Sequence, residues 1–263
     1  MFKLTSLNLN GIRSAASKGV EAWIARASPD CICVQEVKAQ AADVQGRFEE
    51  LAGLKGHFHF AQKKGYSGVA VYSKHAPSDV IVGYGSEEFD AEGRYVELRF
   101  DTPGRKFSVI SCYFPSGSSG EERQQAKFRF LDGFDPHLVK LKKEREFILC
   151  GDVNIAHQQQ DLKNWRSNQK NSGFLPEERA WMTKILSDTG LVDVYRKLCP
   201  DSTEDCYTWW SNRGQAYLKN VGWRLDYHLA TPAIAALART ESIYKAEKFS
   251  DHAPITVDYE FTL

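Results

Sequence analysis

The chain has no run of about 18 apolar residues, the length a membrane-spanning helix needs, and its first residues, MFKLTSLNLNG, lack the apolar core of a secretory signal. The expectation is a cytoplasmic, monomeric protein with no membrane partner. There is no surplus of either charge: 34 Lys and Arg balance 34 Asp and Glu. This excludes a uniformly basic surface, so any affinity for nucleic acid must rest on local positive charge or on a bound cation. The six cysteines, Cys31, Cys33, Cys112, Cys150, Cys199 and Cys206, include no CxxC pair and no zinc-like spacing. Four of them lie in the apolar runs CICV, ISCYF and ILCGD, which favours buried thiols over disulfides or metal ligands. No repeat, low-complexity tract or Pro/Ser-rich linker divides the 263 residues, so 1–263 is expected to form one domain. A hydrophobic content of 42% with 26% charged residues excludes general disorder.

What is present is a series of apolar, β-branched runs. They predict strands at 2–9, 31–35, 68–73, 94–100, 106–114, 146–151, 224–230 and 254–261. Helical patterns fall at 14–27, 40–52, 119–142 and 176–189. Pro136 is expected to kink or end the third of these, and Pro176 with the acids that follow it should open the fourth. Strands outnumber helices and some follow one another directly. A layered α/β sandwich with mixed sheets fits this order better than a doubly wound sheet or a barrel.

The informative residues are polar ones at strand ends. Residues two apart share a face of a strand, so Asn8 and Asn10 share one in LTSLNLNG, and Asp152 and Asn154 share one in FILCGDVN. The run DCICVQE ends at Glu36 and FSVISCYFP ends at Tyr113. Asp226 interrupts WRLDYHL, and Asp251 and His252 stand just before the last strand. One carboxylate after a strand is an ordinary cap or turn residue. Several, with an imidazole and a phenol, suggest a site on one rim of a rigid scaffold. Clustered acids repel one another unless a cation is present, and oxygen donors without thiolates suit Mg²⁺ or Mn²⁺ better than zinc.

The segments SLNLNGIR, CVQEVK, GYSGVAVYSK, SCYFPSG, CGDVNIAH, SGFLPEERAW, TWWSN, VGWRLDY and FSDHAP occur in order from residue 6 to residue 254. In that order they resemble the exonuclease III family of apurinic/apyrimidinic endonucleases, within the endonuclease/exonuclease/phosphatase superfamily. The resemblance implies a DNase I-like, four-layer sandwich of two mixed β-sheets flanked by helices. It implies a Mg²⁺-dependent enzyme, able to use Mn²⁺, whose substrate is double-stranded DNA with abasic sites or blocked 3′ ends. By the same resemblance Glu36 is the main metal-binding carboxylate, Asn8 helps hold the metal and its neighbours, and Asp251 is a further acid on the metal side. Asn10 stands where some relatives carry Asp, which touches at most a supporting metal contact. Asp152 is implied to orient or deprotonate the attacking water. Asn154 would hold the scissile phosphate or support Asp152. His252 would contact a phosphate oxygen, with Asp226 fixing its ring. Tyr113 would bind the phosphate or assist the leaving group. Trp209, Trp223 and Leu225 are implied to line a pocket for a flipped, baseless deoxyribose, whereas Trp210 is expected in the core.

Two stretches carry local positive charge without acids. One, 162–176, contains Lys163, Arg166 and Lys170. The other, 207–225, contains Arg213, Lys219 and Arg224. Such loops suit phosphate contacts that position a protein without reading sequence, and Lys163, Arg166 and Arg213 are the expected substrate contacts. Two other functions share the scaffold: a non-catalytic nucleic-acid-binding regulatory relative, and a different phosphodiesterase or phosphatase of the superfamily. The complete set of acids disfavours the first. The VGWRLDY segment disfavours the phosphatases, and the missing signal segment disfavours secreted members.

Overall fold

Side chains two apart point to the same side of a strand, and this parity sorts the chain into layers. A computed structural model describes residues 1–263. Its strands are β1 Phe2–Asn8, β2 Cys31–Gln35, β3 Glu50–Leu51, β4 Leu54–His59, β5 Val69–Ser73, β6 Asp79–Val82, β7 Tyr95–Arg99, β8 Phe107–Tyr113, β9 Glu146–Asp152, β10 Val192–Asp193, β11 Trp209–Trp210, β12 Gly222–Trp223, β13 Asp226–Ala230, β14 Ala238–Ile243 and β15 Ile255–Tyr259. Its helices are α1 Ile12–Ser17, α2 Val20–Ala27, α3 Ala41–Val44, α4 Glu87–Asp90, α5 Glu121–Glu144, α6 Trp165–Asn168, α7 Pro176–Ser187, α8 Val194–Leu198 and α9 Pro232–Ala235. Seven strands form one sheet in the order β14-β15-β1-β2-β5-β4-β3, and six form a second, β10-β13-β9-β8-β7-β6, while β11 and β12 make a separate ribbon. Both large sheets are mixed: β1 runs parallel to β2 and β8 parallel to β9, among antiparallel neighbours.

In β2, Cys31 and Cys33 join the core between the sheets, while Ile32 and Val34 join the apolar layer under α1 and α2. In β9, Ile148 and Cys150 face the inter-sheet core, and Phe147 and Leu149 pack with Phe130, Phe134 and Leu138 of α5 and Ile185 of α7. The result is the expected four-layer sandwich of helices, two mixed sheets and helices. All six cysteines are free, and the four in apolar runs are buried.

Several element boundaries differ from expectation. The helix expected over 14–27 is split into α1 and α2 because Gly19 adopts left-handed geometry, φ +85. The one expected over 40–52 shrinks to α3; Gly46 and Gly53, both at positive φ, bracket the short strand β3. Pro136 does not end α5, which continues to Glu144. It lies on the exposed face, where the Asp132 carbonyl that loses its partner can be hydrated, and Phe134, Leu138 and Leu141 hold both halves of the helix to the sheet. The helix 176–189 forms as α7, with Pro176 at its first turn. Strands β4, β6 and β14 have no counterpart in the sequence expectation. They lie at or next to sheet edges; β14 has no apolar run, and that of β6 is only Val80, Ile81 and Val82.

Candidate active site

Parallel pairing brings the polar strand ends together. β1 and β2 finish side by side, with Asn8 in register with Gln35, the residue before Glu36. β8 and β9 finish together, with Tyr113 opposite Asp152, and β13 runs antiparallel so that its first residue, Asp226, also faces Asp152. Asn8 shares the parity of Leu4, Asp152 that of Cys150, and Asp226 that of Ala230, all members of the inter-sheet core. All three therefore project between the sheets, at the rim where that core gives way to polar groups. His252 reaches the same rim through a short antiparallel bridge to Trp209, and Ser250 ties its segment to β1 by donating to the Asn8 carbonyl at 2.6 Å.

The turns at these ends are unusual. Nine non-glycine residues have positive φ, and four of them, Asn10, Glu36, Lys38 and Asn154, belong to this rim. For Glu36 and Lys38 such geometry is uncommon and has to be held in place by surrounding bonds. Asn8 supplies two of these bonds: its Nδ2 donates to Glu36 Oε1 and to Asp152 Oδ2, each at 2.9 Å, while its Oδ1 accepts the Asn10 N–H at 2.9 Å. Glu36 Oε2 meets the Lys38 ammonium at 2.8 Å, and Lys38 also donates to Asn10 Oδ1 at 2.5 Å. Asn10 Nδ2 donates to Asp251 Oδ1 at 3.1 Å, and the Trp209 indole N–H donates to Asp251 Oδ2 at 3.1 Å. Asn154 gives its N–H to Asp152 Oδ1 at 3.0 Å and its Nδ2 to the Phe114 carbonyl at 2.9 Å.

His252 lies between two carboxylates. Its Nδ1 is 2.8 Å from Asp226 Oδ2 and its Nε2 is 3.6 Å from Asp152 Oδ2. Burial pulls the imidazole pKa down, but the Asp226 and Asp152 charges and the Asp226 hydrogen bond outweigh it, leaving it raised to about 10. Burial raises Asp152 to about 7; the Asp226 and Glu36 charges add to this, against His252 and the Asn8 hydrogen bond. Burial, with Glu36 and Asp152 nearby, pushes the Tyr113 phenol well up, and the Arg94 guanidinium stacks 4.9 Å from its ring.

Glu36, Tyr113, Asp152, Asn154, Trp209, Trp223, Leu225, Asp251 and His252 line one cleft of about 250 Å³. Donor atoms of Glu36, Asp152 and His252 lie within 4.8 Å of one another, as a metal site requires. Both His252 nitrogens face carboxylate oxygens, which leaves the carboxylate oxygens of Glu36 and Asp152 as the groups in this cluster that could hold a metal. Trp209 and Trp223 pair across the β11–β12 ribbon with ring centroids 6.3 Å apart, nearly edge to face at 79°. Trp210 is buried, its indole N–H bound to Asn220.

Lys163, Arg166 and Arg213 are not among the residues lining the cleft. Lys163 is ion-paired with Glu204, Arg166 stacks on Trp165, and Arg213 is exposed. Arg224 corrects the expectation of a loop cation. It is fully buried between Asp161 and Asp193, at 2.8 and 2.7 Å, because it alternates with Trp223 and Leu225 and so points away from the cleft. Two residues with roles at the rim went unassigned in the sequence. Lys38 is visible only as part of CVQEVK. Lys127 continues the buried stripe of α5 at helical spacing before Phe130, Leu131 and Phe134, a phase that marks it as internal.

Residues 5–252 match the model of the Endonuclease/Exonuclease/phosphatase family. The chain is 37% identical over 254 residues to an exodeoxyribonuclease of Bacillus subtilis (strain 168), covering 96% of this chain and 97% of that protein. It is 38% identical over 262 residues to the DNA repair nuclease APEX1 of Danio rerio, covering 97% of this chain and 81% of that protein. Its fold is similar to that of the AP endonuclease LMAP from Leishmania major, with a TM-score of 0.87 at 26% identity over 97% of this chain and 86% of that one.

Proposed function

The chain belongs to the endonuclease/exonuclease/phosphatase family, and from that membership and the geometry of its cleft we propose that it is a Mg²⁺-dependent DNA-repair phosphodiesterase. It hydrolyses the backbone of double-stranded DNA 5′ to abasic sites, and/or acts at 3′ ends as a 3′–5′ exodeoxyribonuclease and 3′-phosphodiesterase. One observation carries the reading: a carboxylate–imidazole group and an apolar Trp209–Trp223–Leu225 wall share one cleft.

Each side chain has a task its surroundings support. Glu36, with Asn8, Asn10 and Asp251 around it, offers hard oxygen donors suited to Mg²⁺, or Mn²⁺ in its place. When bound, the ion supplies positive charge against a non-bridging or departing oxygen of the diester. Asp152, held by Asn8 and the Asn154 N–H, aims a water in line with the P–O bond and is placed to take its proton. His252, kept protonated by Asp226, donates to a phosphate oxygen and stabilises charge in the pentacovalent state. Asn154 holds the scissile phosphate, and Tyr113, its phenol kept protonated by burial, donates to the phosphate or the leaving oxygen.

The tryptophan wall and Leu225 receive the baseless deoxyribose, where unstacking costs least because the base is already missing. Arg213, Arg166 and Lys163 supply backbone contacts at the approach to the cleft. The Lys163–Glu204 pair is exposed, so it is readily exchanged for a phosphate. Duplexes carrying an abasic site, a blunt end or a 3′-phosphate, assayed side by side with Mg²⁺ and with EDTA, test the reading. Incision of the abasic duplex with Mg²⁺ and none with EDTA is expected; an absence of Mg²⁺-dependent cleavage on all three would overturn it.

A further inference from the structure

A lysine stands in α5 where an apolar side chain would be expected. Lys127 is wholly buried, in the same stripe as Phe130, Leu131, Phe134 and Leu138. Its Nζ lies 2.7 Å from Glu178 Oε1 and donates to the Asn154 carbonyl at 2.7 Å. Glu178, also wholly buried, accepts the Gln124 amide on the same oxygen at 3.0 Å. Its Oε2 accepts the N–H groups of Gly173 and Leu175 at 2.7 and 3.0 Å. Gly173, at φ +95, is packed tightly: an added Cβ would stand 3.2 Å from the Trp223 ring and 3.3 Å from the Asn154 carbonyl.

Taking two charges out of water is costly, and a well-packed apolar pair generally stabilises a core as well or better. An apolar pair cannot, however, bind one carbonyl and two N–H groups on two separate segments of cleft wall. Asn154 shows the consequence. Its N–H is bound by Asp152, one amide hydrogen by Phe114 and its carbonyl by Lys127. Only its Oδ1 and the second amide hydrogen are left for the cleft.

We propose that the buried Lys127–Glu178 pair is a positioning device that fixes the Asn154 turn relative to the 171–175 turn, and with it the phosphate-binding amide relative to the segment that packs against Trp223. This rests on the cleft being the site of phosphodiester hydrolysis, so cleavage of an abasic duplex by the wild-type chain is measured first; its absence would sink that reading and not this one. Lys127→Met and the charge-balanced Lys127→Met/Glu178→Gln are then assayed with Mg²⁺, each in the wild-type and Asn154→Ala backgrounds. In the wild-type background kcat should fall about tenfold or more while KM stays within about twofold, because geometry rather than affinity is lost. In the Asn154→Ala background the same changes should alter kcat by less than about twofold, since the residue through which they act is gone. Equal losses in both backgrounds, no loss in the first, or failure of the charge-balanced variant to fold would each overturn the proposal.

Discussion

At the residue scale the site is organised by amides between acids. Asn8 spends both amide hydrogens on Glu36 and Asp152, two carboxylates that would otherwise repel each other at close range. Asp152 is the most sensitive point because it alone faces both His252 and this amide. Asp152→Asn should lower kcat on an abasic duplex by about 10² or more. Affinity for the same duplex in EDTA and the thermal midpoint should be little changed, since the substitution relieves a buried charge. Cleavage at the wild-type rate would show that Asp152 neither aims nor activates the water. Trp223→Ala tests the other half of the cleft. It should reduce kcat/KM on the abasic duplex by about tenfold, in line with the loss of one aromatic wall, and leave binding to intact duplex nearly unchanged. Matching losses in both measurements would argue against a sugar pocket.

At the scale of elements, local signals were read correctly where one face of an element is buried and misread where tertiary packing overrides them. The strands of the two sheet centres were legible because both their faces are apolar. The edge strands β6 and β14 were not: β14 faces water and needs no apolar pattern, and the apolar run of β6, Val80 to Val82, is shorter than a strand signal. Pro136 was expected to limit α5, yet the apolar stripe on either side holds the helix together. That leaves the Asp132 carbonyl without its helix partner at an exposed position. Pro136→Ala restores an N–H donor toward the Asp132 carbonyl and should stabilise the chain by about 1–3 kcal/mol in denaturant unfolding. A lower midpoint for the variant would mean that Pro136 stabilises chiefly by restricting the unfolded chain.

For the whole molecule, the buried polar groups set the response to acid. His228 is fully buried on β13, with Nδ1 at 3.1 Å from the Tyr259 hydroxyl, and burial lowers its pKa from 6.5 to about 4. Above about pH 6.5 the ring is neutral in both folded and unfolded chains and makes no difference. As pH falls through the window from about 6.5 to about 4, the unfolded chain takes up a proton that the folded chain refuses, so stability declines, by roughly 3 kcal/mol from this group. Urea midpoints of wild type and His228→Leu between pH 7.5 and 4.5 measure this difference. The variant should lose less stability over the range, and parallel curves would assign the acid sensitivity to other groups. The zero net charge, which excludes a uniformly basic surface, is a sum over a surface and an interior that differ. Arg224, Asp161 and Asp193 count in that sum although they are buried against one another.

The sequence by itself determined the alternation of the central strands, the places where they stop being apolar, and the identity of the polar residue at each stop. These are local properties: period-two patterning and a change of residue type need no knowledge of distant neighbours. Only the tertiary structure decided which of those stops share a rim, because that depends on strand pairing within each sheet and on the packing of the two sheets face to face, which sets Asn8 of β1 against Asp152 of β9. Only it decided which charges are internal. Lys127 and Glu178 meet across α5 and α7, and Arg224 turns inward beside two cleft residues. Burial is a property of what packs against a side chain, and a charge enters the interior only where a distant partner offsets its desolvation.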